Sequence, residues 1–177
     1  MRAAGLGWGT AAPKGRTMVQ VLFVCLGNIC RSPMAEGVFR HLVAEAKMID
    51  LVSADSAGTG PWHVGKSPDK RGRATAARNG IDISSQRARQ IAADDFAAFD
   101  YVLAMDGDNL ATLLRDAPSA YQDRVQLFLN FGTANQGGDV PDPYYGGPEG
   151  FDEVFEMVQD AAQELLRHIQ QHDLARR

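Results

Sequence analysis

Apolar residues run almost unbroken through 19–24, where Val19, Val21, Leu22, Phe23 and Val24 are interrupted only by Gln20. Such a run predicts a parallel strand covered on both faces. Beyond it Met34, Val38, Phe39, Leu42 and Val43 recur at helical spacing, so the first strand feeds a helix. Residues 51–57 read as a second strand. A helix then starts at Ser67-Pro68, carries Ala74, Ala77 and Arg78, and stops at Gly80. Residues 94–99 predict a short helix and 101–105 a third strand. Asp106 is the N-cap of a helix bearing Leu110, Leu113 and Leu114. A fourth strand covers 125–129, and 132–150 is a loop rich in glycine and proline, long enough to suggest a functional role. The last helix runs from about Phe151, with Val154, Phe155, Val158, Ala162, Leu165, Leu166 and Ile169 toward the core.

Strands alternating with helices predict an α/β fold, a single domain built on a doubly wound, four-stranded parallel sheet with helices on both faces. Ligands bind such sheets at the carboxyl ends of the strands, near the topological switch point, and Cys25 sits at one such end. There are no repeats, low-complexity tracts or linkers that call for a second domain. Residues 1–17 are rich in Gly and Ala without periodicity, and they read as a disordered extension ahead of a domain at 18–177. Trp8 is the extension's one candidate anchor.

Charge adds little to this picture. The 177 residues carry a formal net charge of −4 with 23% charged residues, typical of a soluble chain and without a nucleic-acid-binding pattern. The Arg176-Arg177 pair reads as a solvated helix end. No apolar run approaches the ~20 residues of a membrane span, and 1–17 lack a signal peptide's apolar core, so a reducing cytoplasm is the default location. Two cysteines in a chain of this size do not form a disulfide scaffold.

They do change the reading of the first strand's end. In Val21-Leu22-Phe23-Val24-Cys25-Leu26-Gly27-Asn28-Ile29-Cys30-Arg31-Ser32-Pro33, five residues separate Cys25 from Arg31. A loop of that length can turn successive backbone N–H groups inward onto an anion, with the following helix aiming its positive end at the same point. That field favours a thiolate nucleophile, and Arg31 can contact two phosphoryl oxygens at once. A Cys and an Arg at this spacing also occur by chance, and a cysteine after an apolar run is often a small core residue. Here Gly27 and Asn28 tolerate left-handed angles, Ser32 suits an N-cap and Pro33 a first helical position.

The block VLFVCLGNICRSPMAE resembles the signature of the low-molecular-weight protein tyrosine phosphatases, and the resemblance extends from Val19 to the chain's end. Asp142-Pro143-Tyr144-Tyr145-Gly146 resembles a second block of that family. Members commonly begin where Met18 stands, so 1–17 can equally reflect an upstream start codon. The resemblance implies that Cys25 is the nucleophile, Arg31 the clamp on the phosphoryl oxygens and Asp142 the acid that protonates the leaving phenolate. It implies a phosphate loop of Leu26, Gly27, Asn28, Ile29, Cys30 and Ser32, in which Ser32 hydrogen-bonds the sulfur and Asn28 holds a left-handed bend. Ser56 supports that loop. Trp62, Tyr144 and Tyr145 wall a slot for a flat phenyl ring. Eukaryotic relatives carry a histidine before the glycine that ends the next helix; here Asn79 precedes Gly80, and the network's last link is not supplied. Neither cofactor nor metal is implied. The partners are phosphotyrosine proteins, a tyrosine kinase among the candidates, with phosphate and vanadate-like anions as inhibitors.

Lone His63 is declined as a base, and His41, His168 and His172 are expected to face solvent. Three other activities fit less well. Arsenate reductases on this fold need further cysteines downstream, and none follows Cys30. Arginine phosphatases typically carry threonine where Ile29 stands, and a less aromatic acid loop. A silent phosphate-binding module would have lost Cys25, Arg31 or Asp142. The two loop cysteines also suggest redox sensitivity, with Cys30 capturing an oxidised Cys25 as a disulfide.

Overall fold

Every residue of β1 (Val19–Cys25) is buried except half-buried Gln20, because strands flank it on both sides and helices cover both faces of the sheet. In the computed structural model, which describes residues 18–176, β1 pairs in parallel with β2 (Val52–Gly58) on one side and β3 (Tyr101–Ala104) on the other. β4 (Val125–Leu127) extends the sheet beyond β3, giving the order β2-β1-β3-β4. The chain leaves β1 for one neighbour and returns to its other side, so the switch point lies between the carboxyl ends of β1 and β3. The fold is the doubly wound α/β sheet expected. The reading of residues 1–17 lies outside the described residues.

Alternation along β1 divides the interior into two cores. Val19, Val21, Phe23 and Cys25 face one, packed under α1 (Arg31–Glu45), α2 (Lys70–Arg78) and α5 (Glu149–Ile169). Leu22 and Val24 face the other, under α3 (Asp95–Ala98) and α4 (Gly107–Asp116). The larger core centres on aromatic edge contacts of Phe23 with Phe39 and Phe128, at centroid separations of 5.6 and 5.0 Å.

Several boundaries differ from the sequence reading. α2 begins at Lys70, because Asp69 rather than Ser67 supplies the cap, accepting from Arg71 N at 2.9 Å. Its end is as expected, with Gly80 at φ +78°. β4 stops at Leu127 because Phe128–Asn130 coils into a 3-10 turn, which buries Phe128 and Leu129. α5 starts at Glu149, ahead of Phe151. His41 and His172 are exposed as expected, but His168 is not. It stacks on His172 at 4.2 Å and meets Tyr101 and Phe131 edge-on, and burial, with His172, lowers its pKa. A π-helical turn at Gln170–Leu174 continues α5 beside this cluster and places buried Asp173 to accept from Tyr101 Oη at 2.7 Å.

Candidate active site

The loop from Cys25 to Arg31 curls back over the end of the sheet. Cys25 pairs with Gly58 in the β1–β2 register, and a Cβ at Gly58 would lie 2.8 Å from Leu26 O and 3.2 Å from Asn28 N. Only a glycine lets the loop approach so closely. Asn28 takes the left-handed bend at φ +56°, whereas Gly27 has no positive φ; its missing side chain makes room for the His63 ring, whose Cδ2 would lie 2.8 Å from a Cβ there. Ser32 is not the helix cap. α1 begins at Arg31 after Cys30, no side chain caps it, and Pro33 stands third rather than first in the helix. The Ser32 hydroxyl turns instead to the sulfur.

That hydroxyl is one link in a chain of buried side chains. Cys25 Sγ lies 3.0 Å from Ser32 Oγ and accepts from Asn28 N at 3.3 Å. Asn28 Nδ2 gives its two hydrogens to Ser32 Oγ at 2.8 Å and Ser56 Oγ at 2.9 Å, and Asn28 Oδ1 accepts from Arg89 N at 2.9 Å. Because Ser32 already accepts from Asn28, its own proton is available to the sulfur, with Ala57 O a longer alternative at 3.4 Å. Ser56 donates onward to Glu36 Oε2 at 2.6 Å, and Arg40 Nη2 stands 3.1 Å from Glu36 Oε1. Asn79 takes no part, since its amide donates to Thr75 O at the end of α2. The network therefore ends on Glu36, whose carboxyl burial shifts upward against the opposing pull of Ser56 and Arg40.

Arg31 faces the sulfur from the other side of the loop. Its guanidinium is buried, with Nη1 donating to Asp106 Oδ2 at 2.6 Å and Val140 O at 3.0 Å, and Nη2 standing 3.7 Å from Asp142 Oδ2. Asp106 also caps α4 through its other oxygen, accepting from Asn109 N at 2.8 Å. Burial works against the Arg31 charge, but the Cys25 sulfur and then the Asp106 and Asp142 carboxylates raise its pKa. Asp142 itself is held within its loop by accepting from Tyr144 N at 3.1 Å.

These groups open onto a cavity of about 320 Å³ lined by Cys25, Leu26, Gly27, Ile29, Cys30, Arg31, Trp62, His63, Asp142, Tyr144 and Tyr145. Cys25 is buried at its floor and exposed Trp62, Tyr144 and Tyr145 form its rim. The Trp62 ring lies over Gly60 in space a Cβ would fill, and the Tyr144 and Tyr145 rings meet edge-on at 4.9 Å. Cys30 borders both the cavity and the main core, and burial and then Asp69 push its thiol well above the usual cysteine range.

Every site residue expected from the sequence thus borders the cavity or its hydrogen-bonded support. The sequence reading missed four that belong there. Asp106 was legible only as a cap, though its place after β3, at the carboxyl end of a strand beside the switch point, is a usable signal. His63 lines the cavity. Glu36 and Arg89 reach the loop through partners distant in sequence, and nothing local marks them.

A family model described as low molecular weight phosphotyrosine protein phosphatase matches residues 20–175. A low molecular weight protein-tyrosine-phosphatase of Streptomyces coelicolor is 46% identical over 155 residues, covering 86% of this chain and 94% of its own. The Bacillus subtilis protein-tyrosine-phosphatase YfkJ is 41% identical over 153 residues, covering 86% of this chain and 97% of its own. Its crystal structure superposes with a TM-score of 0.83 at 39% identity, covering 89% of this chain and 98% of that one. An arginine phosphatase of Drosophila superposes with a TM-score of 0.78 at 34% identity, covering 85% and 97%.

Proposed function

The chain belongs to the low molecular weight phosphotyrosine protein phosphatase family, and we propose that its Cys25, Arg31 and Asp142 carry the family's reaction. The protein is a protein-tyrosine-phosphatase, a hydrolase of phosphoric monoesters. In the first step Cys25 Sγ attacks phosphorus as the bond to the phenolic oxygen breaks, and Asp142 donates its proton to that oxygen, whose conjugate acid has a pKa of about 10. Arg31 and the loop N–H groups hold the equatorial oxygens, where charge stabilisation matters most. In the second step Asp142 takes a proton from water as it attacks phosphorus. The S–P bond breaks, and the leaving thiolate is received by Ser32 Oγ and Asn28 N, the groups that lie 3.0 and 3.3 Å from the sulfur.

One observation carries this assignment. A buried guanidinium stands between the sulfur's loop and a half-exposed carboxylate 3.7 Å away, with all three groups on one cavity. Trp62, Tyr144 and Tyr145 then wall the ring of the substrate, and Leu26, Gly27, Asn28, Ile29 and Cys30 supply the anion cradle. The test is Asp142→Ala, which slows hydrolysis of phenyl phosphate far more than that of an ester with a strongly acidic leaving group that needs no proton. Equal losses on both remove Asp142 from the acid role.

The likeness to an arginine phosphatase supports a second reading, hydrolysis of phosphoarginine. Ile29 at the cavity wall and the Tyr144-Tyr145 pair favour the tyrosyl ring. Phosphate and vanadate-like anions are the expected inhibitors, and a tyrosine kinase is a candidate substrate. Cys25 and Cys30 are both free thiols, which fits a reducing cytoplasm and a redox-sensitive site.

A further inference from the structure

Downstream of Asp142, one side chain from outside the acid loop ties it to the body of the fold at Tyr144 and Gly146. Arg71, in the first turn of α2, donates from Nη2 to Tyr144 O at 3.0 Å and from Nη1 to Gly146 O at 3.1 Å. Its guanidinium lies over the Phe151 ring at 4.8 Å and the Tyr144 ring at 5.8 Å. Among the described residues the other hydrogen bonds within 142–150 are local: Tyr144 N to Asp142 Oδ1, Gly146 N to Pro143 O and Gly150 N to Gly147 O. Just upstream, Val140 N donates to Met105 O at 2.7 Å and Val140 O accepts from Arg31 Nη1 at 3.0 Å. Arg71 is thus the tie that holds the loop downstream of Asp142, as Val140 holds it upstream.

The tie runs on to the phosphate loop. Asp69 grips Arg71 at Nε and Nη2 through both of its carboxylate oxygens, each at 3.0 Å, while Asp69 N donates to Ile29 O at 2.7 Å. One side of the Asp69–Arg71 pair therefore holds the loop that carries Cys25, and the other side holds the loop that carries Asp142. A planar fork with five donors can serve a carboxylate and two carbonyls at once, and a lysine cannot.

We propose that Arg71 is a positioning residue for proton transfer: through Asp69 on one side and the Tyr144 and Gly146 carbonyls on the other, it sets Asp142 at its working distance from the phosphoryl site. This rests on the assignment of Asp142 as the acid. Misplacing a proton donor by about 1 Å is enough to cost up to a hundredfold in rate, although the donor itself is intact. Asp142 and Arg31 remain present when Arg71 is lost, so the damage falls on protonation of the leaving group and spares anion binding.

The experiment compares kcat/KM on phenyl phosphate and on an aryl phosphate with a strongly acidic phenol, for wild type, Arg71→Met, Asp142→Ala and the double variant, with inhibition by inorganic phosphate measured alongside. Arg71→Met is expected to lower the phenyl phosphate value on the order of tenfold relative to the activated ester, part of the ~10²–10⁴ available from general acid catalysis. The inhibition constant for phosphate stays within about twofold. In the Asp142→Ala background the same substitution leaves the substrate ratio unchanged, because no positioned acid remains to disturb. Arg71→Lys gives the same signature and serves if the methionine variant does not fold. Equal loss on both esters, or a parallel loss of phosphate binding, overturns the proposal. Failure of Asp142→Ala to discriminate between the esters instead overturns the acid assignment beneath it.

Discussion

Arg31 and Asp106 are joined by a 2.6 Å ion pair beside the cavity, with the Arg31 side chain only 3% exposed. Asp106 uses its second oxygen to cap α4, so one carboxylate fixes both the clamp and the helix that follows β3. Asp106→Ala removes a helix cap, about 1 kcal/mol, and a charged hydrogen bond, about 1.5–3 kcal/mol. The expected stability loss in urea unfolding is about 2–4 kcal/mol, with a weaker inhibition by phosphate as Arg31 loses its orientation. Unchanged phosphate inhibition would mean that Val140 O alone orients the clamp.

Glu36 makes the stability of the fold depend on pH in an unusual direction for a carboxylate. Its folded pKa is raised, burial being the largest cause, so the folded state favours the protonated form. Its contribution is therefore fully present below the unfolded value and is lost as pH rises through the folded one. Glu36→Gln keeps an oxygen for Ser56 and removes the buried charge. The stability difference between variant and wild type is expected to shift in the variant's favour as pH rises through that window, read from melting temperatures across an acid-to-neutral series. A constant difference would show that Glu36 does not titrate there.

If the site is redox-sensitive as proposed, peroxide converts Cys25 to a sulfenic acid, which the Cys30 thiol captures as a disulfide with loss of water. Wild-type enzyme treated with peroxide is expected to recover with dithiothreitol, and Cys30→Ser to lose that recovery. Full recovery of the serine variant would contradict a protective role.

Ile29 lines the cavity and packs against the main core, and on the proposed tyrosine reading its branched apolar side chain borders the leaving group. A guanidinium placed there loses water without gaining a partner, at a cost of about 1–3 kcal/mol, or roughly ten- to a hundredfold in relative rate. Ile29→Thr is expected to raise phosphoarginine hydrolysis relative to phosphotyrosine hydrolysis. An unchanged ratio would take the discrimination away from Ile29.

The sheet and most of the site were legible because their signals are local. The unbroken run at 19–24 marks a covered strand, and the Cys25-to-Arg31 loop states its chemistry in consecutive residues. Ser32 shows where local reasoning fails: its type suits a cap, but the tertiary demand of the sulfur turned the hydroxyl inward and left α1 without a side-chain cap. His168 failed similarly, since helical position alone does not reveal that Tyr101, Phe131 and His172 converge on it. Glu36 and Arg71 act on residues 20 and 73–75 positions away, a relation that only the folded chain brings about.

The proposed mechanism passes through a covalent cysteinyl phosphate, and rapid mixing with an excess of activated aryl phosphate tests for it. Wild-type enzyme is predicted to release a burst of phenolate approaching one equivalent of enzyme, followed by slower turnover as the cysteinyl phosphate hydrolyses. Cys25→Ser, which keeps Arg31 and the loop N–H groups, is predicted to give neither burst nor turnover while still binding inorganic phosphate. Near-normal turnover by that serine variant would contradict nucleophilic catalysis by Cys25.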